Sequence, residues 1–504
     1  MTRQALRTLM TGTAFAVAIA AVPAGAETLQ EALAKAYHTN PTLAAQRAVL
    51  RATDESVAIA KAGGRPSVQS QSSYNENVLT AANSFVAPSR QITSQANISV
   101  PVFSGGQVRN SVNAAKARVE QGRASLRGTE ADLFVAVVQA YMNVIRDQAV
   151  VALNQQNVKV LETNLQASND RFQVGDLTRT DVAQSEARLA IARSNLQTAE
   201  AQLISSRETY VRLVGSEPQD LQAPPDLPRL PGTVDDAVRI ALGDNPALEA
   251  ARQSLVASQY DVKSARAARL PVVSVGAGGN YSNYLGSFAG GTQPQQYTQA
   301  QVGVTMTLPL YQGGRPAAQV RQARDRESQA IELKTEQERN VVAQARSAYA
   351  VWRSSLDVIQ SSSVAVNANK LSLEGVRAEN SVGNRTILDI LNAEQELLNS
   401  QVQLVTARRD AYVAAFALLA SMGHAEANDL NLDGGPLYDP TVNFRRARSS
   451  LMDWNDGAKP EGTAPTTRGT RPQDAKIAPG KLPLLDDPVD TSAPVPATST
   501  STKP

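Results

Sequence analysis

The sequence predicts a mixed α and β membrane protein that combines short strands with very long antiparallel coiled-coil helices. Three observations predict this fold class. Blocks of sequence return in the second half of the chain, two segments of each half suggest strands, and apolar residues recur every seventh position over long stretches. Alternation with a period of two is typical of a strand, and a period of seven is typical of a coiled-coil seam.

The composition excludes several functional classes. The 504-residue chain has 49 Lys+Arg and 47 Asp+Glu, a formal net charge of +2. It therefore lacks the basic excess of a nucleic-acid-binding protein, and we expect no nucleic-acid partner. It has no cysteine, and His38 and His424 are too far apart in sequence to suggest metal ligands. No phosphate loop or nucleophile elbow is present, so we expect no enzyme, cofactor or metal.

Residues 1–26 have the pattern of a signal peptide. Arg3 and Arg7 precede a short apolar stretch, and Ala24-Gly-Ala26 forms a small-residue cleavage site. The mature chain would begin at Glu27, which is not a cysteine and so excludes lipidation there. No later segment supplies the roughly 20 apolar residues of a membrane helix. Any membrane insertion would therefore use strands, whose sequence signal is weaker.

Most of the remaining chain is an internal duplication. Three blocks return in the same order: Asn-Pro of 40–41 at 245–246, Pro-x-aromatic-x-Gly-Gly of 101–106 at 309–314, and Val-Gly of 174–175 at 382–383. Chance similarity does not keep register over three separate blocks. We predict two repeats, 27–222 and 232–425, joined by a proline-rich linker at 223–231.

Each repeat is predicted to contain two short helices, two strands and one long helical hairpin. The helices are 28–38, 41–62, 233–243 and 246–269. The strands are about 66–79, 91–102, 271–285 and 297–310. The hairpins are 105–214 and 313–422, with turns near 173–179 and 381–387.

The second strand of each repeat has the clearer pattern. Ile98 and Val100 alternate with Gln, Thr and Asn in 91–102, as Val302 and Val304 do in 297–310. An apolar face opposite a polar but uncharged face suits a barrel wall between lipid and water. A soluble antiparallel sheet with one wet face would have the same pattern. The first strand of each repeat is less decisive.

The long hairpins are predicted from apolar residues that recur at every seventh position. Val137, Val144 and Val151 repeat every seven residues, and Ala345 and Trp352 occupy equivalent places 208 residues after Val137 and Val144. Such a repeat makes a coiled-coil seam. One helix over 105–173 would be about 100 Å long, at ~1.5 Å per residue.

The last part of the chain, 426–504, has a different character. Residues 460–504 hold nine prolines with Thr, Ser, Gly and Lys, and show no periodicity. We predict a C-terminal extension that is largely disordered.

The strand count limits the assembly. Four strands cannot close a barrel, and open strand edges are not tolerated in lipid. Three copies would supply twelve strands for one shared β-barrel, and six long hairpins for a hollow α-barrel. We therefore predict a trimer, on geometric grounds.

Several motifs together resemble the TolC family of outer-membrane efflux and type I secretion proteins. They are the two Pro-x-aromatic-x-Gly-Gly junctions, the Asn-Pro helix starts and the segment Val382-Gly-Asn-Arg-Thr-Ile-Leu-Asp389. The resemblance covers roughly 27–425. It implies a homotrimer in outer-membrane lipid, with a twelve-stranded barrel and a periplasmic helical tunnel. It also implies a passive exit duct that docks with a periplasmic adaptor (membrane fusion) protein and an inner-membrane transporter.

The resemblance also implies a gate at the periplasmic tip. Arg385 would link to Asp181 and hold the tunnel closed, and Asp389 would face the lumen in an acidic constriction. Two positions depart from the best-known family pattern. Asn392 replaces a second constriction Asp, and Asn380 replaces a gate Tyr, which implies a weaker acidic ring and a differently latched gate.

Both tip acids have a second interpretation. Thr178-x-x-Asp181 and Thr386-x-x-Asp389 fit helix capping boxes, and a capping role does not exclude a lumen-facing carboxylate. The glycines of the two turns, Gly175 and Gly383, would contact the adaptor by the same resemblance, although ordinary glycine turns would look alike.

The strand-to-helix junctions complete the candidate residues. They are Pro101, Phe103, Gly105 and Gly106, with Pro309, Tyr311, Gly313 and Gly314 in the second repeat. Glycine allows backbone angles that other residues resist, and the two aromatic residues suit an interfacial belt. A plain connecting loop is the alternative.

Two other functions fit parts of the pattern. A trimeric secreted coiled-coil adhesin would share the heptads, but it has no reason to duplicate a strand pair in the middle of each half. A periplasmic scaffold would share the signal peptide and the helices, but it would not fractionate with the outer membrane.

Overall fold

The computed structural model describes most of the mature chain. The described residues are 27–79, 88–228, 230–287, 294–430, 432, 435–477 and 482–485. The predicted signal peptide lies outside them. Residues 80–87 and 288–293, which connect the two strands of each repeat, also lie outside them.

The described elements alternate as the duplication predicts. The helices are α1 Leu29–Thr39, α2 Pro41–Ala62, α3 Gln107–Gln173, α4 Arg179–Val214, α5 Val234–Asp244, α6 Pro246–Ala267, α7 Arg315–Ser381, α8 Ile387–Met422 and α9 Thr441–Ser449. The strands are β1 Ser67–Glu76, β2 Arg90–Phe103, β3 Val272–Asn283 and β4 Gln296–Thr307. Among the helices of the described segments, none carries an apolar stretch long enough to cross a bilayer.

The two repeats match element by element. Helices α3 and α7 each have 67 residues, and α4 and α8 each have 36. The Asn-Pro motifs begin α2 and α6, where Asn40 and Asn245 accept hydrogen bonds from the backbone N–H groups of the first turn. Proline follows at the first helical position, where no backbone donor is needed. The predicted plan of each repeat therefore agrees with the observed elements.

The four strands form one antiparallel sheet in the order β1-β2-β3-β4. The β2–β3 pair joins the two repeats. Strands β1 and β4 lie at the edges, and neither edge pairs with a further strand in the described chain. The backbone groups along both edges are therefore available to another chain.

The register separates the sheet into two chemically different faces. Val68, Ile98, Ala277 and Val302 are directly opposite one another across the four strands. The adjacent row contains Gln69, Asn97, Gly278 and Gln301. Opposite residues share a face, so one face is apolar and the other polar but uncharged. Val68 is 73% exposed and Val302 81%, so the described residues leave the edges of the apolar face uncovered.

The junctions between sheet and helices depend on backbone conformation. Gly106 and Gly314 cap the N-termini of α3 and α7 with φ of 84° and 80°, a left-handed conformation that favours glycine. Pro101 lies beside a register shift in β2, where a missing N–H is tolerated. Phe103 and Tyr311 are both exposed.

The hydrophobic core is concentrated in the first repeat. Val137, Val144 and Val151 are buried, as the heptads predict, and 25 of the 67 residues of α3 are buried. In α7 only six of 67 are buried. The equivalent Ala345 is buried and Trp352 is half-buried. The same heptad pattern is therefore covered in one repeat and largely uncovered in the other.

The prediction of a largely disordered C-terminal extension is wrong for 435–477 and 482–485. Helix α9 packs on α2, where Asn443 donates a hydrogen bond to the Asp54 carboxylate at 2.9 Å. Further along, the Arg207 guanidinium donates to the carbonyl oxygens of Asp474 and Lys476, and Leu484 is buried in the main core. A segment held by hydrogen bonds to its backbone carbonyl groups needs no periodic pattern of apolar side chains. The sequence pattern therefore did not indicate that this segment is ordered.

The two glycine junctions offer a matched test of packing. Gly105 and Gly313 have nearly the same φ, 58° and 60°. A Cβ at Gly105 would lie 2.6 Å from the Cβ of Leu270, whereas one at Gly313 would have no atom within 4 Å among the described residues beyond its two chain neighbours. Both alanine variants lose about 1–2 kcal/mol for the left-handed backbone. We expect Gly105→Ala to lose a further ~1–3 kcal/mol from the clash.

The measurement is denaturant unfolding of the detergent-solubilised variants, followed by helical circular dichroism. Equal destabilisation by the two substitutions would contradict the predicted clash with Leu270.

Candidate gate at the helical tips

The hairpin turns are two copies of one structure. Gly175 and Gly383 have φ of 83° and 80°. In the first turn Gly175 N–H donates to Phe172 and Asp176 N–H to Arg171. In the second turn, the amides of 383 and 384 donate to the carbonyls of 380 and 379. These bonds satisfy the last carbonyl groups of α3 and α7 and require a left-handed residue, which explains the glycines.

Both predicted capping boxes are present. The Thr178 hydroxyl accepts from the Asp181 N–H at 3.3 Å, and the Asp181 carboxylate accepts from the Thr178 N–H at 2.9 Å. The Thr386 and Asp389 pair has the same two distances. Each box satisfies donors at the start of α4 or α8.

The caps hold both carboxylates in the charged form. Hydrogen bonds from the Thr178 side chain and backbone lower the pKa of Asp181. The backbone and then the side chain of Thr386 lower the pKa of Asp389. A lowered folded-state pKa means that this stabilisation is present above the ordinary Asp pKa and is lost as pH falls through the lowered value. The tips therefore keep two negative charges in mildly acidic solution.

In each tip an ion pair joins the end of the first helix to the turn. In the first tip the helix supplies the cation, and in the second tip the helix supplies the anion. Arg171 Nε lies 3.4 Å from Asp176 Oδ2, and Arg385 Nε lies 2.7 Å from Glu379 Oε2. Arg171 and Glu379 occupy equivalent positions, since 379 − 171 = 208. Both pairs are exposed and add little stability, but they place an arginine at the end of α3 and a glutamate at the equivalent point of α7.

The predicted link between Arg385 and Asp181 is absent within one chain. The Arg385 guanidinium binds Glu379, whose hydrogen bond and charge raise the pKa of Arg385. The Asp181 carboxylate is turned back onto Thr178. Arg385 is exposed and Asp181 is half-buried, and each is bonded within its own tip.

The two departures from the family pattern have structural roles. Asn380 donates through Nδ2 to the Arg385 carbonyl oxygen at 2.7 Å, and so braces the second turn. Asn392 Oδ1 accepts from Arg188 Nη2 at 2.7 Å. This bond connects α8 with α4 and therefore ties the second repeat to the first.

A buried carboxylate above the tips was missed by the sequence analysis. Glu394 is 6% exposed. It accepts hydrogen bonds from Arg377 Nη2 of α7 at 2.9 Å and from Asn164 Nδ2 of α3 at 3.0 Å. One side chain thus joins three long helices. The sequence contained one indication of this site. Position 169, which is equivalent to Arg377 in the first repeat, is the neutral Asn169, so the cation is specific to the second repeat.

No metal centre accompanies these charges. Throughout the described segments, His, Asp and Glu side chains form no group of three or more that could hold a metal ion.

Comparison with known proteins gives the family. The outer membrane efflux protein family matches residues 30–216 and 237–424, which are the two repeats. The chain belongs to the outer membrane efflux protein family. It is 35% identical over 442 residues to the outer membrane efflux protein BepC of Brucella suis biovar 1 (strain 1330), covering 86% of this chain and 93% of BepC.

Two further comparisons agree. The outer membrane protein TolC of Escherichia coli (strain K12) is 28% identical over 355 residues, covering 67% of this chain and 71% of TolC. The crystal structure of the Campylobacter jejuni CmeC outer membrane channel superposes with a TM-score of 0.70 at 16% identity, covering 85% of this chain and 90% of CmeC. This last likeness concerns the fold alone.

Membership confirms the family resemblance, the fold class and the outer-membrane location. The protein is an outer-membrane efflux channel and not an enzyme. The adhesin and scaffold alternatives receive no support from these relatives.

The Glu394 site predicts unequal effects of its two charges. Arg377→Gln leaves a buried carboxylate without its cation, whereas Glu394→Gln leaves an arginine that is half exposed and can turn to water. We expect Arg377→Gln to lose about 1–2 kcal/mol of unfolding free energy, and Glu394→Gln to lose less.

Denaturant unfolding of both variants and of the Arg377→Gln/Glu394→Gln double variant measures this difference. The double variant serves as the control, because it removes both charges and should resemble Glu394→Gln. A larger loss for Glu394→Gln than for Arg377→Gln would contradict the prediction.

Proposed function

We propose that this chain is the passive exit duct of a tripartite efflux pump or a type I secretion system, working as a homotrimer closed at its periplasmic tip. The observation that carries the proposal is the four-stranded sheet with two open edges and an uncovered apolar face. Membership of an outer-membrane family supports the insertion of that sheet into lipid.

The open edges support the trimer. Unpaired backbone groups in hydrocarbon cost several kcal/mol each, roughly, so β1 and β4 must pair with other chains. Three chains would supply twelve strands, an even number within the range of such barrels. In this arrangement β4 of each chain lies beside β1 of the next.

Helix α7 supports the same assembly. Its exposed apolar residues include Ile331, Val351, Val364 and Leu371, the last 71% exposed. One side of α7 packs on α8, α6 and α5, but these exposed apolar residues have no covering partner within the described chain, and an exposed apolar face of this kind suits packing against another helix. In a ring of three chains, α7 would pack against a neighbouring protomer and complete the tunnel wall.

The two faces of the sheet have separate roles. The row through Val68, Ile98 and Val302 would face lipid, and the row through Gln69, Asn97 and Gln301 would face the water-filled lumen. Phe103 and Tyr311, at the helix end of the sheet, would lie in the interfacial aromatic belt. A lumen lined by neutral amides discriminates little, so the partner pump would select the cargo.

The tips would form the gate. Arg385 of one protomer would reach Asp181 of its neighbour, with Glu379 holding the guanidinium in place from within the chain. Asp389 and Asn392 would line the constriction just above. The exposed turns at Gly175 and Gly383 would meet a periplasmic adaptor protein, which connects the duct to an inner-membrane transporter.

The subunit contact can be tested by cross-linking, since the chain has no cysteine of its own. A cysteine replaces Gln69 on β1, and a second replaces in turn Gln299, Gln301, Gly303 and Thr305 on β4. We expect at least one pair to oxidise into a covalent trimer on denaturing gels.

The matched control moves the first cysteine to Asn97 on β2, which is flanked on both sides within its own chain. No intermolecular product is expected from that control. A β1–β4 scan with no covalent trimer in outer membranes would contradict the shared barrel.

The gate is tested by conductance. Arg385→Ala removes the cation that would bridge neighbouring tips, so we expect a larger single-channel conductance in planar bilayers. Asp176→Ala is the matched control, because it removes the corresponding ion pair of the first tip without touching Arg385. Conductance unchanged by Arg385→Ala would refute the proposed role of this residue.

A further inference from the structure

The C-terminal extension follows α2 towards the sheet. Asn443 bonds to Asp54, Arg446 pairs with Glu55 at 3.3 Å, and Lys61 and Arg65 donate to the carbonyl oxygens of residues 448 and 450. Residues further along α9 therefore contact residues further along α2, so the two segments run in the same direction. Phe444 anchors the pair in a small cluster with Val57 and Val119.

The segment after α9 ends this path at the level of the strands. Helix α2 ends at Ala62, β1 begins at Ser67, and the carbonyl of Ser450 is held by Arg65 between them at 2.7 Å. Gly457 lies back beside the Arg446 side chain. Residues 451–456 therefore form a loop whose apex, here called the apical loop, lies at the helix end of the sheet.

The apical loop exposes large apolar side chains. Leu451 is 73% exposed, Met452 75% and Trp454 97%. Three such residues within four positions are unusual on a surface that meets only water. Phe103 and Tyr311 are also exposed at this end of the sheet, so exposed apolar side chains of the loop and of the strand ends lie at the same end of the sheet.

Positive charges surround the base of the loop. Lys61, Arg65, Lys116 and Arg448 lie close enough that burial, and then the charges of the other three, lower the pKa of Lys61. Across the described residues, no carboxylate forms an ion pair with any of the four. The loop itself contains Asp453 and Asp456, whose charges do not cancel those of the four cations.

We propose that the apical loop and this basic cluster bind anionic phospholipid in the periplasmic leaflet of the outer membrane. The apolar side chains would enter the headgroup–acyl boundary, and the four cations would contact lipid phosphates. An aromatic residue beside basic side chains suits such an interface. Charge complementarity and continuity with the lipid-facing sheet select lipid as the occupant. The inference rests on the proposed insertion of the sheet into the outer membrane and not on the proposed gate.

Tryptophan fluorescence tests the proposal, because the chain has two tryptophans, Trp352 and Trp454. The full-length mature protein carrying Trp352→Phe is reconstituted into bilayers that contain phospholipid brominated high on the acyl chains. We expect the Trp454 emission to be blue-shifted and quenched, and more strongly quenched when phosphatidylglycerol is included. Persistent quenching without any dependence on phosphatidylglycerol would overturn the anionic preference.

Two control variants accompany this measurement. Trp454→Phe leaves Trp352, which lies 37 residues into α7 (352 − 315), about 55 Å from the sheet end at ~1.5 Å per residue, and should not be quenched. Val302→Trp, in a chain with both native tryptophans replaced by Phe, reports insertion of the sheet and should be quenched.

The outcomes separate the alternatives. Quenching at residue 302 without quenching of Trp454 would overturn the proposal and leave the barrel intact. Quenching at neither position would overturn both the lipid-facing sheet and the proposal. A photo-crosslinker on a cysteine at Asn455 that captured a second chain in place of lipid would assign the loop to a subunit contact, which also overturns it.

The charges are tested separately. Lys116→Gln/Arg448→Gln changes two cations whose side chains make no hydrogen bond among the described residues. We expect the dependence on phosphatidylglycerol to fall while channel conductance stays unchanged. An undiminished dependence would contradict the role of the basic cluster.

Discussion

Hydrogen bonding of backbone groups in lipid is the constraint on which the whole architecture depends. Water satisfies an open strand edge on a soluble protein, but hydrocarbon cannot. A chain with four strands therefore cannot complete its membrane part alone. Helix α7, with six buried residues among 67, leaves a second surface uncovered, and there the missing contact is one between side chains and not between backbone groups.

Duplication followed by divergence gives the two repeats different tasks. The first repeat holds most of the core, with a long, well-buried α3. The second repeat presents an uncovered α7 and a tip whose ion pair has reversed polarity. Glu394 and Asn392 then connect the repeats through Asn164 and Arg188. Movement of one hairpin relative to the other would have to break these contacts.

The C-terminal extension adds a layer that the duplicated core lacks. It contacts α2 near the sheet, crosses α4 through Arg207 and reaches the main core at Leu484. Because these contacts involve both α2 and α4, the extension bridges the two ends of the first repeat. The second repeat has no equivalent segment within the described residues, in keeping with its exposed surface.

The sequence by itself determined the duplication, the strand alternation, the heptads, the Asn-Pro caps and the capping boxes at Asp181 and Asp389. These features depend on neighbours a few residues apart, so period and spacing report them directly. Tertiary structure decided the burial of Glu394 and the ordered path of the extension. Asn443 meets Asp54 across 389 positions of sequence, and Glu394 meets Asn164 across 230. Such contacts arise only when distant helices pack together, and no local pattern in the chain encodes which of them will meet.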